Sequence, residues 1–413
     1  MVRYSYHERG ANTMRERLRR FLRRYRLAIA IPLAFITMWV ALWNIPPTHA
    51  AIMTGLVTQE LMLDLPVSPL NLLGAGVVHE EVVLDVPQGR GQLVADVYRP
   101  DDGDQHGALL LSIGAARQIR DNPGVVKLGN ALAQAGIVVM VPELYYPYKE
   151  NTLPDEVQDL VSAFQTNVEE TVASYQWLES QPYVDAKRAG IAGFSAGGGI
   201  ALIAAADSRV HNDVRFLSVM GTYFDMVDLV NAITTESYSY DGQTTQWVPL
   251  IKSVRVLHRS IIAYLPDQAD RDLLTRIFLD GDEAARSETA SLTPEGRKVY
   301  EAFTAKDPEQ VLAFWNEVSP TDVQTLHQVS PSAHLAGLHT ELFIMTARHD
   351  HYIPYVESRR LRDATSGNGN RVHYTELDIF SHVEPTSVSN PLGLLADILK
   401  LLYYMWQLML RMQ

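Results

Sequence analysis

Apolar runs of strand length alternate with helical periods through most of the chain beyond residue 77. Residues 82–86 and 92–98 flank a Gly89-Arg90-Gly91 turn and are closed by Arg99-Pro100, a pattern that predicts an antiparallel hairpin. Further strand-length runs lie at 108–113, 137–141, 188–192, 215–220, 342–345 and 372–377. The clearest helix is 156–180, where Val157, Leu160, Val161, Phe164, Val168, Val172, Tyr175 and Leu178 share one face at 3.6-residue spacing. Strands that alternate with helices predict an α/β fold with a doubly wound, mostly parallel sheet. From residue 222 to 328 the alternation stops. Helical sequence containing Tyr223, Phe224, Tyr238, Tyr240, Trp247, Tyr264, Phe278 and Trp315 replaces it, and its length predicts an inserted helical cap rather than a loop.

The two ends of the chain follow other patterns. Residues 27–43 carry no charge and end in Trp39 and Trp43, a run of roughly 25 Å as a helix, close to a hydrocarbon core. The preceding segment, 1–26, holds nine Arg against Glu8 and Glu16, a local charge of +7. By the positive-inside rule it is a basic cytoplasmic segment, 27–43 is an N-terminal transmembrane signal anchor, and the rest lies on the extracytoplasmic side. The competing form is export with cleavage near Thr48-His49-Ala50; a twin-arginine signal fits less well, because Arg19-Arg20-Phe21-Leu22-Arg23 lacks the second apolar residue after the pair. Residues 44–76, with Pro46, Pro47, Pro66 and Pro69, read as a linker or stalk. After Pro391 a polar stripe of Asp397, Lys400, Tyr404, Gln407 and Arg411 marks a last sheet-packing helix. Its excess apolar face is left for the membrane or for 44–76, and its longest uncharged run, 401–410, is too short to span a bilayer.

Composition narrows the chemistry. With 413 residues, 47% of them hydrophobic, the chain can bury a large core. The net charge of -13 leaves -20 on residues 27–413, so the body is a poor partner for nucleic acid. There is no cysteine, which removes thiol nucleophiles, thiolate-bound zinc and iron–sulfur clusters. Covalent catalysis has to use another side chain.

One motif supplies it. The run 188–192 leads into Gly193-Phe194-Ser195-Ala196-Gly197 and then a small-residue helix. A nucleophile on such a tight strand-to-helix turn has strained dihedrals, and glycine on both flanks lets neighbouring backbones close in. Ser195 would project above the sheet near the free N–H groups of the helix that follows. A serine needs a base and an orienting acid to react. Asp350 lies in the loop after 342–345 and His382 in the loop after 372–377, giving the order nucleophile, acid, base, each just past a strand.

At these residues the chain resembles the alpha/beta-hydrolase superfamily, in the branch of dienelactone hydrolase-like and prolyl-oligopeptidase-like serine esterases and peptidases. The resemblance spans 77–221 and 329–400 and is carried by Ala95-Asp96-Val97-Tyr98-Arg99-Pro100, Gln181-Pro182-Tyr183-Val184-Asp185, the Ser195 motif, Ser330-Pro331 and the loop from Asp350 to Pro354. It implies an alpha/beta-hydrolase core made of 77–221 and 329–413, interrupted by the 222–328 cap. Ser195 then attacks an acyl carbonyl, His382 relays the proton, and Asp350 orients the imidazole. The resemblance places the oxyanion hole at the backbone N–H groups of Ala196 and Ala115, although Ser112-Ile113-Gly114-Ala115-Ala116 departs from the common His-Gly signature. Dienelactone hydrolases proper use a cysteine, which this chain replaces with Ser195.

Other assignments compete. His349 or His351 could act as base, and Asp225 or Asp228, after 215–220, as acid; a His349-Asp350-His351 metal site has poor ligand geometry. The expected function is a membrane-anchored serine hydrolase of carboxylic esters or related acyl compounds, with a small-molecule substrate, a lipid bilayer as partner, no nucleic acid, no metal and no cofactor. A peptidase or thioesterase of the same fold, or a non-catalytic envelope binding protein, is the alternative.

Overall fold

The computed structural model describes residues 31, 37, 41–63, 67–114, 118–145, 158–263, 265–311, 313, 324, 326–386 and 390–413. The chain divides into two compact units, Met1–Met53 and Thr54–Gln413. In the first, the Trp43 ring meets His49 edge-on, with centroids 4.9 Å apart. The expected basic segment, 1–26, and most of the expected membrane helix, 27–43, lie outside the described residues. The stretch read as a linker contains two helices, Pro46–Met62 and Pro69–Leu73. Proline at or near a first helical turn costs no hydrogen bond, so Pro46, Pro47 and Pro69, read as linker signals, instead open helices.

The second unit is built on an eight-stranded sheet. Its strands are β1 (Val77–Val86), β2 (Gly91–Pro100), β3 (His106–Ile113), β4 (Ile137–Pro142), β5 (Val184–Phe194), β6 (Phe216–Met220), β9 (Glu341–Ala347) and β10 (Val372–Leu377). A hairpin of β7 (Ser237–Tyr240) and β8 (Gln243–Gln246) lies between β6 and β9 in the chain. The sheet order is β1-β2-β4-β3-β5-β6-β9-β10, antiparallel as far as β4 and parallel from there on. All the predicted strand runs are present, and the β1–β2 hairpin extends further than its apolar residues suggested. Fully buried β4 reads as an unbroken apolar run, as a strand covered on both faces does, and fully buried β6 departs from one only at Ser218. The predicted long helix is Gln158–Glu179; it buries Val172, Tyr175 and Leu178 against the sheet, and the Tyr175 hydroxyl donates to the carbonyls of Ala189 and Asp213.

β6 and β9 are neighbours in the sheet, yet more than a hundred residues separate them in sequence. That insertion holds helices Met226–Thr235, Ile251–Ala263, Gln268–Phe278 and Pro294–Thr304 as well as the β7–β8 hairpin. Ile262, Leu273, Leu274, Ile277, Val299 and Phe303 form a separate apolar core within it. His258 stacks there on Phe303, and Phe278 meets both rings edge-on, so these aromatic rings pack the insertion itself.

The C-terminal helix, Pro391–Met412, lies on the sheet and buries Asp397 and Tyr404 of its polar stripe together with Leu401, Leu408, Met409 and Met412. The Tyr404 hydroxyl meets Ser218 Oγ at 2.9 Å, and Asp397 Oδ2 accepts the Asp378 amide at 2.5 Å while Lys400 pairs with Oδ1 at 2.8 Å. Arg411 forms a two-pronged pair with Glu341 at 2.7 and 2.8 Å. Leu392, Leu395 and Leu399 face outward, 79%, 54% and 59% exposed. Among the described residues this is the helix long and apolar enough to cross a membrane. The expectation from its longest uncharged run excluded that. Its charges are instead spent on the sheet, which leaves an apolar outer surface.

Burial raises the Glu341 pKa, but hydrogen bonds from Arg411 and His373 outweigh it and hold the carboxyl at about 2. A folded pKa below the ordinary 4.5 stabilises the fold fully above that pH, and the contribution is lost as pH falls toward 2. Arg411→Met is therefore expected to cost about 2 kcal/mol at pH 7, with the gap to wild type closing as pH falls from 4.5 to 2. Urea unfolding across that range checks it; a gap that stayed constant down to pH 3 would contradict the pairing.

Candidate active site

Ser195 sits between β5 and the helix Ala196–Ala205 with φ 55° and ψ -132°, a backbone conformation that costs an L-residue about 1–2 kcal/mol. The turn is held at both ends. The Ser195 amide donates to the Met220 carbonyl at 2.9 Å, and the Ser195 carbonyl accepts from Gly198 at 2.9 Å. A Cβ on Gly197 would come within 2.5 Å of the Gly114 nitrogen, so only glycine lets the helix start press against the end of β3. Ala196 is the first helical residue, and its N–H has no carbonyl four residues back within the helix. The other expected donor, Ala115, lies outside the described residues.

Asp350 and His382 are brought together. His382 Nδ1 meets Asp350 Oδ2 at 2.7 Å, and both residues are buried. Oδ1 of the same carboxylate accepts the amides of Tyr352 at 2.7 Å and Ile353 at 3.0 Å. A buried carboxylate with three donors is satisfied without water. His382 occupies the turn between two short strands, β11 (Phe380–Ser381) and β12 (Glu384–Pro385), with φ 59°. The Tyr352 ring stacks on the imidazole at 4.6 Å.

Gly221 joins these parts. It follows Met220, whose carbonyl holds Ser195, and a Cβ built on it would lie 3.1 Å from His382 Nδ1 and 3.4 Å from Asp350 Oδ2. Its φ of +59° also favours glycine. The turn that follows is tied down from another side, where buried Glu357 accepts the amides of Phe224 and Asp225, each at 3.0 Å. Burial pushes the Glu357 carboxyl up to about 7, against the pull of Arg360.

The competing side chains are engaged elsewhere. Asp225 caps the helix Met226–Thr235 and accepts from Ser332 Oγ at 2.7 Å, while Asp228 pairs with Arg360. His351 Nδ1 meets the Val248 carbonyl at 2.8 Å, and His349 is exposed, 3.8 Å from Asp378. Among the described residues no group of histidine and acidic side chains could hold a metal ion. Three contributors were not found from sequence. Trp247, from the insertion, donates Nε1–H to the Asp350 carbonyl at 2.8 Å across 103 positions, with no local signal. Tyr352 gave no sign of its stacking partner. Gly221 gave a faint one, a glycine directly after a strand.

Gly221→Ala is expected to lower turnover of a nitrophenyl ester at least about 10-fold and the melting temperature by a few degrees, through left-handed strain and pressure on His382. Wild-type turnover in that variant would remove Gly221 from the site.

Residues 120–226, which include the Ser195 turn, match the model of the dienelactone hydrolase family. No curated protein gives a significant match. Among solved structures, acylaminoacyl peptidase from Pyrococcus horikoshii is 11% identical, with a TM-score of 0.43 over 74% of this chain and 38% of that one. A fungal esterase structure from Rhizomucor miehei is 13% identical, with a TM-score of 0.41 over 86% of this chain and 95% of that one. A puromycin-hydrolyzing peptidase from Mycobacterium tuberculosis is 14% identical, with a TM-score of 0.44 over 74% and 36%. The chain thus spans less than two fifths of the length of either peptidase. Superpositions at this level carry no activity across. The chain is thus similar to the dienelactone hydrolase family over residues 120–226, the segment that carries β4, β5, β6 and the Ser195 turn.

Proposed function

We propose that this protein is a membrane-anchored serine hydrolase that cleaves carboxylic esters or related acyl compounds of small molecules through a Ser195-His382-Asp350 triad and an acyl-enzyme. The observation that carries the reading is the buried Asp350–His382 pair packed on Gly221, next to the carbonyl that holds Ser195. Asp350 on Nδ1 selects the tautomer that leaves Nε2 as the proton acceptor. His382 Nε2 takes the Ser195 hydroxyl proton as Oγ adds to the acyl carbon. The carbonyl oxygen becomes an oxyanion, with the Ala196 N–H as one donor and Ala115 as the second. Collapse expels the alcohol, which takes the proton from the imidazolium. Water then attacks the acyl-enzyme by the same relay and releases the acid.

The anchoring rests on the sequence of 1–43 and gains support from the outward leucines of the C-terminal helix, an apolar surface suited to lipid. The extracytoplasmic placement of the catalytic unit follows from the arginine cluster alone.

Ser195→Ala is expected to abolish labelling by a fluorophosphonate, and Asp350→Asn to cut turnover of a nitrophenyl ester about 10⁴-fold. An intact wild type that resists labelling would sink the proposal; unchanged turnover in the Asn variant would remove Asp350 as the acid. On alkaline carbonate extraction of cell membranes the full chain should stay in the pellet, and release into the supernatant would refute the anchor.

A further inference from the structure

A hydrogen bond at Nδ1 fixes one atom of an imidazole and leaves the ring free to turn about that bond. His382 makes that bond to Asp350 Oδ2. It stands on the short β11–β12 hairpin, outside the main sheet, with its backbone in the left-handed region. The missing restraint comes from the acid loop. The Tyr352 amide donates to Asp350 Oδ1 at 2.7 Å, and the Tyr352 ring lies over the imidazole with centroids 4.6 Å apart and planes inclined by 28°. Asp350 itself is pinned from the insertion by Trp247 Nε1 at 2.8 Å. One short loop therefore grips His382 at its edge, through the carboxylate, and on its face, through the tyrosine.

We propose that Tyr352 is a positioning residue for His382. Its ring confines the imidazole to the plane that the Asp350 hydrogen bond requires, and its π-face stabilises the imidazolium that forms in both acylation and deacylation. An aromatic face beside a cation is worth up to about 30-fold in a rate. Tyr352 is 40% exposed, so truncating it removes little of what holds the fold. The inference rests on the triad reading above, and the experiment separates the two.

Nitrophenyl ester kinetics and melting temperatures of Tyr352→Leu, Tyr352→Phe and Tyr352→Trp, beside Ser195→Ala, test it. The Leu variant should lose about 10- to 30-fold in kcat with KM within about 2-fold of wild type. The Phe and Trp variants, which keep a ring, should retain kcat within about 3-fold, and all should melt within a few degrees of wild type. Wild-type kcat in the Leu variant overturns the proposal. So does a loss confined to KM, which would make the ring a substrate wall, or an equal loss in Phe and Leu, which would assign the effect to the hydroxyl. Should the Leu variant fail to fold, Tyr352→Met, a ringless side chain of similar length, takes its place: the same loss of about 10- to 30-fold in kcat upholds the proposal, and wild-type kcat overturns it. Full turnover in Ser195→Ala would instead bring down the triad reading.

Discussion

Asp350 is shut off from water, and its carboxylate has to find every partner inside the protein. The Tyr352 and Ile353 amides and His382 Nδ1 meet that demand, and Trp247 secures the backbone carbonyl of the same residue. Leaving one of these groups unpaired costs about 1–3 kcal/mol, more for a charge, so the four contacts stand together. They draw in segments distant along the chain. The loop after β9, the β11–β12 hairpin and a tryptophan from the insertion are placed by one buried charge. The insertion is thus tied to the site by hydrogen bonds from its 247–250 segment, where Leu250 also donates to the His351 carbonyl.

The second constraint is how closely backbones approach. Gly197 lets the helix after Ser195 touch the end of β3, and Gly221 lets the end of β6 touch the imidazole and the carboxylate together. A methyl group at either position would separate elements whose spacing sets the reach of the nucleophile. The strained Ser195 backbone survives because the parallel strands and the helix over-determine it, as expected where strain serves a site.

At the C-terminus the helix on the sheet buries Asp397 and Tyr404 beside Leu401, Leu408, Met409 and Met412. The sheet there presents Ser218 on β6, Glu341 on β9 and the Asp378 amide just after β10, polar groups that need partners once covered. Tyr404, Arg411 and Asp397 supply them, and Leu392, Leu395 and Leu399 in the first half of the helix are left facing outward. Asp397 also ties this helix to the first residue of the loop that carries His382, so the helix helps to place the base.

Much of the fold was legible from local pattern. Apolar runs marked every strand of the main sheet, and glycine spacing between a strand and a helix marked the Ser195 turn. Chain order past strand ends singled out Asp350 and His382, which the fold sets 2.7 Å apart. These features are encoded by neighbours in sequence, through strand burial and turn stereochemistry. The stacking of Tyr352, the Trp247 contact, the role of Gly221 and the burial of Asp397 and Tyr404 in the last helix were decided only in three dimensions. Each depends on which distant group must satisfy a buried polar atom or leave room for a backbone, and sequence periodicity records that a face is polar or apolar without recording what it meets.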